Sequence, residues 1–124
     1  MHVLVTGAAG KVGQALIARL SRMSAGQPVK IRALCHSRML PETEHLSVIK
    51  GSIADRDVCR AALQGVTHVV HLATCKEIPE DVMDVTVKGL FWLLEEFRES
   101  PTAQRFVLIG GDAAVGHFVY RHKG

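Results

Sequence analysis

Cysteine is used only three times in these 124 residues, at Cys35, Cys59 and Cys75. Three scattered cysteines are too few for a disulfide framework or a metal site, so no metal is expected. All three fall in apolar or helical stretches, which predicts buried free thiols and a reducing, cytoplasmic setting. No apolar run approaches the roughly 20 residues of a transmembrane helix, and the N-terminus has the pattern of a strand, not of a signal peptide; no membrane partner is expected. Charge of one sign is also in short supply. The formal net charge of +3 suits an anionic ligand, but the basic residues are dispersed and not interleaved with aromatics, so no nucleic-acid partner is expected. Internal repeats and low-complexity segments are missing. What is left is an ordinary globular balance, 48% hydrophobic and 22% charged, in a chain long enough for one domain with its own core.

The chain is organised around its first thirteen residues. His2-Val3-Leu4-Val5-Thr6 is an apolar run that reads as a buried parallel strand. Gly7, Gly10 and Gly13 follow at Gly-x-x-Gly-x-x-Gly spacing. A helical pattern then begins, with Val12, Leu16 and Leu20 expected on one face and Ala15 and Ile17 beside it. Strand, glycine turn and helix together are the context in which such a motif means dinucleotide binding. Gly7 permits the tight turn, Gly10 lets a pyrophosphate approach the backbone, and Gly13 lets the helix pack close to the strand. The N–H groups at the helix start, around Lys11 and Val12, favour a phosphate there.

Strand and helix signals then alternate. The first helix is expected over Lys11 to about Arg22, with a turn at Ser24 to Pro28. Val29 to Cys35 reads as the second strand, His36 to Glu44 as a loop on the cofactor side, and Ser47 to Lys50 as a short third strand. Asp55 caps a helix of about Arg56 to Leu63, with Val58, Ala62 and Leu63 inward, and Gly65 ends it. The fourth strand lies in Thr67 to Leu72. The longest helix covers about Glu80 to Glu99 and stops at Ser100-Pro101. Arg105 to Ile109 is the fifth strand. The expected architecture is α/β: a doubly wound parallel sheet of about five strands in the order 3-2-1-4-5, with right-handed crossovers and the ligand at the carboxyl ends of strands one and four.

The stretch Val3-Leu4-Val5-Thr6-Gly7-Ala8-Ala9-Gly10-Lys11-Val12-Gly13 resembles the opening of the extended short-chain dehydrogenase/reductases, the sugar-nucleotide epimerase/dehydratase group. The resemblance implies a Rossmann-like NAD(P)-binding domain over residues 1–124, incomplete relative to the family and ending before its catalytic Tyr-Lys helix and substrate domain. Gly51-Ser52-Ile53-Ala54-Asp55 looks like the family's Gly-Asp-Ile/Leu-x-Asp turn, whose side chains contact adenine. Here the first acid is Ser52, so one adenine contact would come from a hydroxyl, with Ile53 packing on the ring. His71-Leu72-Ala73-Thr74 resembles the segment that passes under the nicotinamide-side ribose, which assigns Leu72, Ala73 and Thr74 to the cofactor. His71 itself reads as a hydrogen-bonded core histidine. Lys76 falls where some members place a lysine facing cofactor or substrate; a surface lysine is the alternative. Asp84-Val85-Thr86-Val87-Lys88-Gly89 resembles Asp-x-Asn-x-x-Gly, with Thr86 in place of asparagine and Gly89 allowing close packing. Phe91 and Trp92 read as core or interface.

The end of the second strand bears on cofactor choice. It carries Cys35, His36, Ser37 and Arg38 and no acid to bind ribose hydroxyls or repel a 2′-phosphate. Arg38 can pair with such a phosphate, which favours NADP over NAD. The catalytic residues of the resembled family are not matched. Its hydroxyl position corresponds to Gly111, beside Asp112, and the only tyrosine, Tyr120, precedes Lys123 by three residues rather than four. No catalytic residue is assigned. The resemblance therefore implies the cofactor-binding portion of an epimerase, dehydratase or reductase acting by hydride transfer on a sugar-nucleotide or related carbonyl or alcohol substrate, with turnover not expected from these residues alone. A non-enzymatic dinucleotide sensor or scaffold of the same fold is the alternative. Phe106 to Ile109 would form an exposed edge, so a homo-oligomer is expected.

Overall fold

The structure, a computed structural model, describes residues 1–23, 26, 29–73 and 79–109. Thr74, Cys75, Lys76 and all of Gly110 to Gly124, including Gly111, Asp112, Tyr120 and Lys123, lie outside the described residues, as does most of the turn at Ser24 to Pro28.

The elements run β1 (His2–Thr6), α1 (Lys11–Met23), β2 (Lys30–Cys35), β3 (Leu46–Lys50), α2 (Arg56–Ala62), β4 (His68–His71), α3 (Pro79–Asp81), a π-helical segment (Val82–Gly89), α4 (Leu90–Glu99) and β5 (Arg105–Leu108). All pairings are parallel and the sheet order is β3-β2-β1-β4-β5. This is the doubly wound, Rossmann-like arrangement expected from the alternation. β1 lies at the centre, with Leu4 beside Arg32 on one neighbour and Val69 on the other.

Period-two alternation along the strands sorts the core onto two faces. Val3, Val5, Ile31, Ala33 and Cys35 pack with Ile17 of α1. Leu4, Leu34 and Val69 pack on the other face with Cys59, Ala62 and Leu93 of α2 and α4. Arg32 points to the second face and donates to the carbonyls of Ala62 and Gln64, both at 2.8 Å, satisfying groups that the end of α2 leaves without helical partners. Asp55 caps α2 as expected, accepting from the Asp57 N–H at 2.9 Å. Gly65 follows with φ +72°, the left-handed conformation expected of a glycine beyond a helix end.

Two expectations change and a third narrows. The buried face of α1 is not Val12, Leu16 and Leu20: Gly13 and Ile17 face the sheet, Leu16 and Leu20 pack at the flank, and Val12 and Ala15 are exposed. Gly13, having no side chain, is the point of closest approach, and it turns the helix so that its own line is buried. The longest helix is not α-helical throughout. Its Val82–Gly89 turns are π-helical, over a run rich in the β-branched residues Val82, Val85, Thr86 and Val87, which crowd an α-helical turn. Of the two alternatives for Phe91, core or interface, the structure removes the first: it is 54% exposed and meets Trp92 edge-on, with ring centroids 5.2 Å apart. Among the described residues no helix is long and apolar enough to cross a membrane.

Candidate functional site

The strand order reverses at β1, so the helices that follow β1 and β4 cover opposite faces of the sheet, and a cleft of about 610 Å³ opens at the carboxyl ends of these strands, at the position where open α/β sheets hold ligands. Five segments line it: Thr6 to Gly10 after β1; Leu34, His36, Ser37 and Arg38 at the end of β2; Gly51, Ser52 and Ile53 after β3; Leu72 and Ala73 after β4; and Asp81 and Val85 from the following helix.

The three motif glycines meet different demands. Gly7 has φ +66°, and a Cβ there would come within 2.8 Å of the Leu72 and Ala73 backbone. A Cβ on Gly13 would strike the Gly7 carbonyl oxygen and approach Ala8 Cα to 2.8 Å. Protein backbone therefore fixes both as glycine. Gly10 is different: a Cβ would meet only the Gly7 oxygen, at 3.4 Å, an ordinary contact. Nothing in the described protein requires glycine at position 10, which opens on the cleft. A ligand that must come close to the backbone would require it. The first backbone bond of α1 runs from the Gln14 N–H to the Gly10 carbonyl at 2.9 Å. The N–H groups of Lys11, Val12 and Gly13 thus precede the first helical bond, as an anion site at a helix start requires.

The floor between β1 and β4 is tied by Thr6. Its buried hydroxyl accepts from the Leu72 N–H at 3.1 Å and the Ala73 N–H at 3.2 Å, and lies 2.7 Å from His71 Nδ1. Burial holds the His71 pKa below its ordinary value. His71 is a hydrogen-bonded core residue, as its place in an apolar strand predicts.

The Ser52 wall is equally supported. Ser52 Oγ accepts from the Ala54 N–H at 3.1 Å. Ile53 is buried against Gly89, where a Cβ would lie 2.6 Å from Ile53 Cδ1. The close packing foreseen for Gly89 is thus against this turn. Cys59 donates to the Ile53 carbonyl at 3.2 Å. Burial, with Glu96 and Asp55 adding, pushes its thiol up to about 12, which makes it a packing group and not a nucleophile. Behind this wall, buried Glu96 of α4 accepts from Arg56 at 2.8 Å and Arg60 at 3.1 Å on α2. The Arg56 guanidinium lies 4.8 Å from the centre of the Trp92 ring.

Of the residues singled out in the sequence, Gly7, Gly10, His36, Ser37, Arg38, Ser52, Ile53, Leu72 and Ala73 converge on this one cleft. Lys11, Val12 and Thr86 have exposed side chains outside its lining, and Gly13 is buried beneath it. What Lys11 and Val12 offer a ligand is backbone N–H. Sequence reasoning passed over Thr6, Ala8, Ala9, Leu34, Gly51, Asp81 and Val85. Thr6 and Leu34 carried only the signal of strand ends; Asp81 and Val85 carried none, because a helix start says nothing of what it faces.

Residues 3–121 match the family model for the NAD dependent epimerase/dehydratase family. The chain is 40% identical over 125 residues to the 3 beta-hydroxysteroid dehydrogenase/Delta 5-->4-isomerase of Mycobacterium tuberculosis, covering 96% of this chain and 30% of that protein. The uronate dehydrogenase of Agrobacterium tumefaciens superposes with a TM-score of 0.77 at 26% identity, over 89% of this chain and 40% of that one. The Bordetella bronchiseptica enzyme WbmG, solved in complex with NAD, gives 0.73 at 27%, over 87% and 36%. The chain spans about a third of the length of the curated relatives it matches. It belongs to the NAD-dependent epimerase/dehydratase family.

Proposed function

We propose that this chain, as a member of that family, is the NAD(P)-binding portion of an epimerase, dehydratase or reductase that moves hydride to or from a sugar-nucleotide or related carbonyl or alcohol substrate. The observation that carries the reading is the contrast among the three glycines: two are demanded by the fold, while Gly10 is demanded by nothing except what enters the cleft. In this reading the N–H groups of Lys11, Val12 and Gly13 hold the pyrophosphate. Ser52 and Ile53 take the adenine end, and Leu72 and Ala73 pass beneath the nicotinamide-side ribose, with Thr74 and Lys76 as further contacts; Thr86, exposed outside the cleft lining, is left out of the site. The bound nicotinamide supplies the hydride chemistry.

Arg38 lines the cleft at the end of β2, where no acid stands among Cys35, His36 and Ser37. This supports NADP over NAD, because a guanidinium forms charge-assisted hydrogen bonds with a 2′-phosphate and a carboxylate would repel it. Calorimetric titration with NADPH and NADH tests both parts. Gly10→Glu is expected to abolish binding of either, and Arg38→Ala to weaken NADPH about tenfold or more with little change for NADH. Failure of a folded sample to bind either dinucleotide overturns the reading.

Gly111 stands where the resembled enzymes carry a catalytic hydroxyl, and this favours a second reading, a dinucleotide sensor or scaffold without turnover. Tight NADPH binding with no change in absorbance at the nicotinamide band, across a panel of sugar-nucleotides and small ketones, is the result that reading expects.

A further inference from the structure

The turn that Gly51 to Asp55 resembles has an acid where this chain has Ser52, and the cleft offers a replacement from the helix that packs against Ile53. We propose that Asp81 supplies the carboxylate that accepts a hydrogen bond from the 6-amino group of a bound adenine, making it a specificity-determining residue for 6-amino over 6-oxo purines. The proposal rests on the dinucleotide reading above.

Ile53 and Val85 give this part of the cleft apolar walls, with Ile53 held in place by Gly89. A flat purine needs such walls, and its Watson–Crick edge then needs one acceptor for the amino group and one donor for the adjacent ring nitrogen. The Ser52 hydroxyl accepts the Ala54 N–H and keeps its proton and one lone pair. Its proton suits the ring nitrogen, and for the amino group a carboxylate is the stronger acceptor. Asp81 is the one carboxylate on the cleft lining among the described residues. Its side chain makes no capping bond to the π-helical segment that follows it, and among the described residues it has no hydrogen-bond or ion-pair partner. A carboxylate facing a cleft built for a polyanion repels its ligand unless it meets a donor on that ligand. The amino group is that donor. A 6-oxo purine inverts both partners, setting an oxygen against Asp81 and an N–H against Ser52.

The test is calorimetric titration of the wild type and of Asp81→Asn with NADPH and NADH, each beside its hypoxanthine counterpart, in which the 6-amino group is replaced by a carbonyl and all charges are kept. The wild type is expected to prefer adenine by about tenfold or more, the size of one lost charge-assisted hydrogen bond with an unpaired partner left behind. Asp81→Asn, whose amide can donate or accept, is expected to bring the two bases within about threefold of each other, with an unchanged melting temperature showing that the fold is intact. Equal wild-type affinities for the two bases overturn the assignment. So does an Asp81→Asn variant that binds both bases more tightly by the same factor, since that is the mark of charge repulsion alone. If neither base form binds to folded wild type, the dinucleotide reading fails and this assignment falls with it.

Discussion

Thr6 Oγ1 and His71 Nδ1 lie 2.7 Å apart across the central pair of strands, and the two N–H groups that Thr6 also accepts decide which of them donates. With the Leu72 and Ala73 amides occupying its lone pairs, the hydroxyl has only its proton to give, and Nδ1 receives it. His71 is therefore neutral with its proton on Nε2. An imidazolium would need a proton on Nδ1 facing an oxygen with no lone pair to spare, and burial disfavours that charge as well.

This fixes the sign of a pH effect. The unfolded chain binds a proton at His71 near the ordinary value of 6.5, while the folded chain resists it. The unfolded state then holds more protons below that pH, so stability is full above it and falls as the pH drops, by at most about 1.4 kcal/mol per pH unit for one group. His2, lowered by burial and then by Arg32, adds in the same sense. Urea midpoints at pH 7.5 and 5.5 should show the loss in the wild type and a smaller loss in His71→Gln. An identical pH response in the two proteins would remove His71 from the account.

Alanine at the three motif glycines should separate fold from ligand. Gly7→Ala and Gly13→Ala place a Cβ against backbone that cannot yield and are expected to destabilise by several kcal/mol or prevent folding. Gly10→Ala is expected to stay within about 0.5 kcal/mol of wild type in chemical denaturation while weakening dinucleotide binding. A Gly10→Ala protein as unstable as the Gly13 variant would return that glycine to the fold and take away the main support for the site.

The sequence was most legible where one residue type does one job. Buried parallel strands appear as apolar runs, Asp55 as a cap, and the glycine triplet as a strand-to-helix turn, so the sheet order and half of the cleft could be read directly. Residues whose meaning depends on a distant partner could not. Thr6 looks like one more strand residue until Leu72 and Ala73 come to its hydroxyl from 66 and 67 positions away. Glu96 looks like a surface charge, yet its partners stand 40 and 36 positions earlier. Gly89 could be read as a point of close packing, but not that its partner would be Ile53, 36 positions earlier.

Glu96 leads to a prediction of its own. Hydrogen bonds from Arg56 and then Arg60 hold its carboxyl below the ordinary value. Its contribution is thus present above pH 4.5 and lost as the pH falls through its lowered folded value. Glu96→Gln should cost about 1.5–3 kcal/mol at neutral pH, the range for hydrogen bonds to a charged group. Because Arg56 lies against Trp92, the only tryptophan, loosening of α2 from α4 should change the intrinsic fluorescence before global unfolding. A variant with wild-type emission and wild-type midpoint would show that the two arginines are surface charges without structural effect.

The outer strand raises the question of self-association. β5 pairs only with β4 among the described residues. Phe106 is anchored edge-on against Phe97, with centroids 5.4 Å apart, but Val107, Leu108 and Ile109 are 38%, 53% and 57% exposed. Strands of a parallel sheet are ordinarily covered on both faces, and an apolar strand with an unpaired row of backbone groups is a template for a second copy. The expected outcome is concentration-dependent self-association in light scattering, reduced in Leu108→Lys, where a charge on the edge opposes pairing while Phe106 keeps its place. A monomeric profile up to high protein concentration would sink the idea. Association undiminished by Leu108→Lys would move the contact to another surface, such as the exposed side chains of Met83, Val87, Phe91 and Leu94.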